Sequence, residues 1–315
     1  MLNILIIGCG NIGKRHLFAL LELKKKIKVQ VLEKDDTKIN LSKKINKNFN
    51  NYIKKFSQIE TNTNLIICST KAFNRDVVIK KALKFCSPKY VILEKISFQN
   101  MHIYNQMLKL FYKNKIKVWI NFPLRYQSYY DYLKKIIFKN NPFFTMAVSL
   151  SKSDDLFSSG IHFLDLFLTN YISDIRFEFA KLTKVNKDKN NSRFNGKIVY
   201  TSKFKTIVIL NSKSKFQQQI NIFGSKNHYR VIFFSEKKDP WNKPKIRFYK
   251  NDKFIKNFNH LWQSQLTNLY INDILEKKNC KLPTLKKSNI CNKLILNSVK
   301  KKLNLKKKTS LCPIT

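Results

Sequence analysis

The sequence predicts an α/β protein in which an N-terminal doubly wound parallel sheet is followed by a C-terminal α+β domain with an open, mostly antiparallel sheet. Three observations carry that prediction: a glycine-rich turn at Gly8–Gly13, an alternation of short apolar runs with amphipathic stretches up to about Asn121, and a change to closely spaced strand-like runs from about Phe143. At 315 residues the chain exceeds the usual single-domain length, so two domains are expected, at 1–121 and 122–315.

The first half reads as buried strands separated by helices. Apolar runs at Ile4–Ile7, Val29–Leu32, Leu65–Ile67, Val91–Leu93 and Val118–Ile120 are continuous rather than alternating, as strands covered on both faces require. Leu17, Leu20 and Leu21, and later Val77–Leu83, have helical spacing between them. Right-handed crossovers then gather the C-terminal ends of the strands at one edge, where such sheets bind ligands.

Beyond Pro123 the runs Phe144–Leu150, Ile175–Leu182, Lys197–Thr201, Lys205–Leu210, Phe216–Phe223, Tyr229–Phe234 and Lys245–Tyr249 read as strands of the second sheet. Asn195-Gly196 is the pair expected at a two-residue hairpin turn. Helices are expected at Tyr129–Phe138 and Ile161–Leu168, and near the end, where Trp262, Leu266, Leu269, Tyr270 and Ile274 recur at helical spacing.

A hydrophobic content of 43% with 13% aromatics excludes a disordered chain. The formal charge of +43 invites a nucleic-acid or anionic-membrane reading. Lysine is spread over nearly every segment, however, and rises with Asn, Ile and Phe while Gly, Ala and Pro are scarce, as an AT-rich coding sequence would produce. Scattered charge supports solubility rather than a shaped site, so no specific nucleic-acid partner is expected. The densest basic cluster, Lys300, Lys301, Lys302, Lys306, Lys307 and Lys308, reads equally well as a solvated helix end. The six cysteines form no CxxC pair, so neither a metal site nor a disulfide framework is encoded in their spacing. A reducing, cytoplasmic setting follows, with no membrane span: Leu2–Ile7 is too short for a signal core and runs straight into the glycine turn.

That turn, Gly8, Gly10 and Gly13, is a GxGxxG directly after a strand and before a helix, and it uses three of the six glycines in the chain. The pattern suits a dinucleotide-binding Rossmann domain: Gly8 for the tight turn, Gly10 for approach of a pyrophosphate to bare backbone, Gly13 for close packing of helix on strand. Glu33, about 20 residues further on at the end of the second strand, is placed to accept hydrogen bonds from both ribose hydroxyls and to repel a 2′-phosphate. NAD is therefore the expected cofactor, with NADP open because Lys34 adjoins Glu33.

Seven segments, the one that carries the glycine turn among them, resemble the Gfo/Idh/MocA group of sugar and inositol oxidoreductases across nearly the whole chain. GCGNIGKRH (Gly8–His16) is similar to its GxGxxGxxH, and CSTKAFNRDVVIKKAL (Cys68–Leu83) to its third-strand segment, with Lys71 where proline is common and Arg75 where histidine is common. LEKI (Leu93–Ile96) resembles its EKP signature, NFPLR (Asn121–Arg125) its NxxxR, and SSGIHFLDLF (Ser158–Phe167) its DxGxHxxD. ILEKKNCKLPT (Ile274–Thr284) and CPIT (Cys312–Thr315) resemble a branch associated with bacterial surface-glycan synthesis.

The resemblance implies NAD or NADP in the first domain, oxidation or reduction at a carbon of a sugar or nucleotide sugar, and homodimers or homotetramers formed through the open sheet. It implies cofactor contacts from Gly8, Gly10, Asn11, Ile12, Gly13, Glu33, Ser69, Thr70, Glu94, Lys95 and Asn121. Hydride transfer from an alcohol leaves a proton to be removed and a developing alkoxide to be stabilised. Lys95, at the ligand edge after the strand Val91–Leu93, and His162 are the expected catalytic pair, with Glu94 orienting Lys95 or holding the ribose. His162 and Asp165 lie three apart, so on a helix the carboxylate can steer the imidazole or bind a sugar hydroxyl, and Arg125 can fork onto a substrate carboxylate or phosphate. Two positions depart from the pattern: Ser158 replaces an acidic residue four before His162, with Asp154 and Asp155 as nearby stand-ins, and Ile96 replaces the proline after Lys95. They motivate the alternative of a non-catalytic dinucleotide-binding sensor or scaffold of the same fold.

Overall fold

The computed structural model describes residues 1–23, 25–45, 47–138, 143–151, 154–168, 174–186, 188, 190–211, 217–234, 245–305, 307 and 310–314, with residues 136–138 described by backbone alone. Of the features anticipated above, Phe216, Lys306, Lys308 and Thr315 lie outside the described residues. The chain divides into two compact units, Met1–Pro123 with Trp262–Asn289, and Leu124–Leu261 with Ile290–Ile314.

The first unit holds a parallel sheet of β1 (Leu2–Ile7), β2 (Ile27–Leu32), β3 (Tyr52–Ile53), β4 (Leu65–Cys68), β5 (Tyr90–Leu93) and β6 (Lys117–Ile120), in the order β3-β2-β1-β4-β5-β6. This is the doubly wound Rossmann order expected from the alternating pattern. Leu5, Ile6, Leu65, Ile66, Ile67, Val91, Ile92, Leu93, Trp119 and Ile120 are all wholly buried, which explains why these strands read as unbroken apolar runs. β3 was not visible in the sequence because two residues cannot display a period. The helices α1 (Asn11–Glu22), α2 (Asp36–Ile45), α3 (Arg75–Ala82) and α4 (Met101–Lys113) connect the strands. α4 shows the local logic: Asn100 caps it by accepting from the His102 amide at 2.6 Å, and Tyr104, Met107 and Phe111 at helical spacing form its buried face.

The second unit is built on an eight-stranded sheet. Its strands are β7 (Phe144–Ser149), β8 (Arg176–Lys184), β9 (Phe194–Thr201), β10 (Lys205–Asn211), β11 (Gln219–Gly224), β12 (His228–Phe234), β13 (Lys245–Lys250) and β14 (Lys253–Asn259). The order is β14-β13-β12-β11-β7-β10-β9-β8; β7 and β10 run parallel and the other neighbours antiparallel. One face is covered: along β7, Phe144, Met146 and Val148 are buried while Thr145, Ala147 and Ser149 are half-buried on the other side. α6 (Gly160–Leu168) lies against the covered face, with the site of a Cβ on Gly160 only 3.2 Å from Ile209 Cγ2. α5 (Ser128–Tyr132) continues into a π-helical stretch at Leu133–Phe138, where one continuous helix was expected.

Two further sequence expectations change. The whole of 122–315 was assigned to the second domain, but Trp262–Asn289 folds with the first unit. α7 (Gln263–Lys277) packs on α1, and the segment after it adds to the edge of β6: the Ile120 amide donates to the Pro283 carbonyl and the Leu285 amide to the Val118 carbonyl, both at 2.9 Å. An open sheet edge recruits backbone from far along the chain because its amides and carbonyls need partners. The final helix α8 (Asn289–Lys302) returns to the second unit, where Ser298 Oγ donates to the Tyr200 hydroxyl at 3.2 Å.

Asn195-Gly196 is not a hairpin turn. Gly196 lies within β9 between Leu182 and Asn211, with φ of +131°, and a Cβ there would sit 1.9 Å from the Lys181 carbonyl oxygen. The glycine serves close approach of two strands rather than reversal of the chain. The chain reverses outside the strands, where Asp188 Oδ1 accepts from the Asn190 and Asn191 amides at 2.9 and 3.0 Å. Gly196→Ala is therefore expected to lower stability by about 1–3 kcal/mol. The urea midpoint measures it, and a midpoint equal to wild type contradicts this placement.

Candidate active site

At the C-terminal edge of the parallel sheet, the turn between β1 and α1 is shaped by its glycines. Gly8 has φ of +93°, and a Cβ on Gly13 would lie 2.0 Å from the Gly8 carbonyl oxygen and 3.5 Å from Ser69 Cβ. The helix thus starts in direct contact with the end of β1, which no larger residue permits. A Cβ on Gly10 would meet nothing within 4 Å, so the turn opens onto free space at that point. The first turn of α1 has neither a side-chain cap nor an acidic residue, so Asn11, Ile12 and Gly13 present its positive end there.

Glu33 closes one side of this turn. Its Oε2 accepts from the Cys9 amide at 2.8 Å, and its Oε1 from the Lys34 and Asp35 amides at 2.9 and 3.1 Å. Three main-chain donors hold the carboxylate in one place at the end of β2. On the other side, the Ser69 amide donates to the Ile7 carbonyl at 2.8 Å, tying the end of β4 to β1. The Ser69 hydroxyl is buried with no hydrogen-bond partner among the described residues, whereas Thr70 Oγ1 lies 3.4 Å from Cys68 Sγ. A buried, unpartnered hydroxyl beside a glycine turn suits an added acceptor such as a phosphate oxygen.

Glu94 directly follows β5, and its carboxylate turns inward rather than toward the edge. It is 7% exposed, and Oε1 is met by His16 Nε2 at 3.1 Å and by the Asn121 amide nitrogen at 2.6 Å. A carboxylate only accepts, so His16 Nε2 carries the proton. His16 Nδ1 lies 3.0 Å from Thr267 Oγ1 and 3.1 Å from the Tyr270 hydroxyl, both on α7. Burial pushes the Glu94 carboxyl up, but the hydrogen bond and charge of His16, with Asn121 and the Lys95 ammonium, outweigh it and hold the carboxyl below its ordinary range. Glu94 was expected to orient Lys95 or hold the ribose; its Oε1 is instead engaged with His16 and Asn121. Asn121 spends its nitrogen on Glu94, and its Oδ1 is buried without a partner among the described residues. Lys95 follows directly, and the Lys95–Ile96 peptide is cis.

In the second unit, His162 and Asp165 lie on α6. Asp165 engages Arg125 rather than a free ligand: Nε donates to Oδ2 at 2.8 Å and Nη2 to Oδ1 at 2.7 Å, while the Tyr130 hydroxyl donates to Oδ2 at 3.1 Å. Burial opposes the charge on Arg125, and the Asp165 carboxylate outweighs that, raising the guanidinium pKa further. The fork expected to meet a substrate anion is thus closed on a protein carboxylate. Asp154 and Asp155, the stand-ins for an acid at Ser158, are also committed. Asp155 accepts from the amides of Phe157, Ser158 and Phe194 at 3.2, 2.7 and 2.7 Å, and Asp154 from the hydroxyls of Ser151 and Ser159 at 2.7 and 2.9 Å. They shape the entry to α6.

His16, Arg75, Tyr130, Thr267 and Tyr270 received no role from the sequence. His16 falls three residues after Gly13, on the same face of α1, which was a usable signal; its partners on α7 carried none. Among the described residues no group of three or more His, Cys, Asp or Glu side chains is placed to hold a metal ion, the cysteines are free, and no helix is long and apolar enough to cross a membrane.

By sequence, no family model and no curated protein matches the chain. By structure, it is similar to an oxidoreductase from Agrobacterium radiobacter in complex with NAD+, L-tartaric acid and magnesium, at TM-score 0.72 and 14% identity over 97% of both chains. It is similar also to a mutant of KijD10, a 3-ketoreductase from Actinomadura kijaniata in complex with TDP-benzene and NADP, at TM-score 0.69 and 13% identity over 93% of this chain and 95% of that one. A super-repressor mutant of Gal80p from Saccharomyces cerevisiae matches at TM-score 0.71 and 13% identity over 96% of each chain. The chain therefore shares the fold of these proteins, a parallel Rossmann-type sheet followed by a second, mostly antiparallel sheet, which is the fold class expected from the sequence.

Because the Glu94 pKa is lowered in the folded chain, its contribution to stability is complete above the unfolded value of about 4.3 and is lost as pH falls through the lower folded value. Glu94→Gln is expected to cost about 1–3 kcal/mol at neutral pH. The gap from wild type should narrow as pH falls through the carboxylate range; urea unfolding at a series of pH values measures it, and a constant gap contradicts the ionic role.

Proposed function

We propose that the protein is an NAD(P)-dependent oxidoreductase acting on a CH–OH group of a sugar or nucleotide sugar. The observation that supports this most is the glycine turn: bare backbone opens onto space at Gly10, beside an uncapped helix start, with Glu33 immobilised alongside. Asn11, Ile12 and Gly13 offer amides to a pyrophosphate, the Ser69 hydroxyl supplies the donor it has not yet spent, and Thr70 and Asn121 line the same sheet edge. Glu33 takes the ribose hydroxyls and disfavours a 2′-phosphate, so NAD is the preferred form. When bound, the dinucleotide supplies the hydride acceptor or donor.

Lys95 donates a hydrogen bond to the reacting oxygen and stabilises alkoxide charge as it develops. His162 takes the hydroxyl proton in oxidation and returns it in reduction. Arg125 and Asp165 act on substrate as a preformed pair, the carboxylate fixing the guanidinium for a hydroxyl or anionic group. We place the activity in the cytoplasm, in surface-polysaccharide assembly, with homodimers or homotetramers formed through the open sheet. The motifs at Ile274–Thr284 and Cys312–Thr315 motivate the pathway assignment.

A second reading, a non-catalytic dinucleotide sensor or scaffold, is favoured by one observation: Asp154 and Asp155 are spent on main-chain amides and serine hydroxyls, so neither replaces the acid absent at Ser158. The two readings separate experimentally. NADH fluorescence should report binding, weakened about tenfold or more by Glu33→Ala. Nicotinamide absorbance should change with a member of a sugar and nucleotide-sugar panel, and Lys95→Ala or His162→Ala should lower that rate by about 100-fold or more with NADH binding retained. Binding without turnover across the panel leaves the sensor; no binding removes both readings.

A further inference from the structure

The segment that carries Lys95 is gripped by a buried cation. Arg75, the first residue of α3, is 1% exposed. Its Nη1 donates to the carbonyls of Glu94, Ile96 and Ser97 at 2.5, 2.6 and 2.9 Å, and its Nη2 to the carbonyl of Thr70. Its Nε is buried without a partner among the described residues. Burial pulls the guanidinium pKa down, opposed by the neighbouring Cys68 and Glu94.

As a packing element this is an expensive choice. A buried charge held by neutral carbonyls, with one donor unsatisfied, gives less stability than an apolar side chain of equal volume. The four acceptors show what the charge accomplishes. All are main-chain oxygens, and they belong to two segments alone: Thr70, just after β4, and Glu94–Ser97, just after β5. A planar fork spans both, whereas a lysine places its three donors at one point.

We infer that Arg75 is a positioning residue whose guanidinium locks the Lys95 segment to the segment after β4, so that the Lys95 ammonium leaves the sheet edge in a single direction. The side chain of Glu94, held by His16 and Asn121, fixes the same segment from its other side. The inference rests on the proposed role of Lys95, but the clamp can be measured without it.

The experiment uses the full-length protein with Arg75→Met, which keeps volume and removes the fork, and with Arg75→Ala, assayed with and without millimolar guanidinium ion. Hydrogen exchange of the peptide covering residues 94–98 should speed up about tenfold or more in both variants, with residues 65–68 unchanged. Guanidinium should restore protection in Arg75→Ala, while an equal concentration of methylammonium should not. NADH affinity is measured alongside, and any turnover found with the sugar panel should fall in kcat with the KM for NADH unchanged. Wild-type protection at 94–98 in Arg75→Met overturns the inference, as does recovery of Arg75→Ala with methylammonium. Should Arg75→Ala fail to fold, Arg75→Met decides alone. Should wild type bind no NADH, the proposed function fails, while the exchange data still decide the clamp.

Discussion

A buried carboxylate organises the first unit. Glu94 cannot remain charged in an apolar interior without donors, and the two it finds, His16 and Asn121, come from α1 and from the end of β6. His16 in turn needs partners for its second nitrogen, which Thr267 and Tyr270 provide from α7. A chain of polar contacts thus runs from Asn121 and Glu94 at the edge of the sheet, through His16 on α1, to a helix some 250 residues away in sequence. These contacts add to the pairing at the β6 edge in tying Trp262–Asn289 to the N-terminal sheet: polar groups at the sheet's C-terminal edge are completed by residues that the chain supplies only near its end.

Two charges of opposite sign therefore frame Lys95. Arg75 takes the main-chain oxygens around it, and His16 and Asn121 take the side chain before it. Neither arrangement maximises stability, since apolar replacements would avoid the desolvation of both ions. What they secure is definition: a segment of irregular backbone between β5 and α4 is held by directional bonds in addition to the packing of the buried Ile96 and Phe98, as a preformed site requires.

The second unit solves a related problem with a direct ion pair. Its sheet has one covered face, α6 lies on it, and the carboxylate of Asp165 is neutralised by the Arg125 fork and the Tyr130 hydroxyl. Asp155 satisfies three amides where the chain enters α6 and passes β9. Carboxylates that look like free catalytic candidates in a sequence are commonly consumed in this way, because main-chain amides near helix starts compete for them.

The parts legible in the sequence were those governed by near neighbours. The parallel sheet followed from unbroken apolar runs, and the glycine turn from the strand before it and the helix after it. Glu33 followed from its distance along the chain, and the strand-rich second half from its closely spaced strand-like runs. Gly196 marks the boundary of that legibility: a positive φ is demanded equally by a hairpin and by close strand approach, and only the Lys181 carbonyl decides between them. Arg75 was noted as a departure from a family pattern, but its use lies in four carbonyls contributed by two other segments. By itself, then, the sequence determined the two architectures and the dinucleotide-type turn, since these rest on periodicity and local backbone demands. The tertiary structure alone decided which charges are spent on one another and to which unit α7 belongs, because electrostatic pairing in a dry interior depends on distances that chain order does not encode.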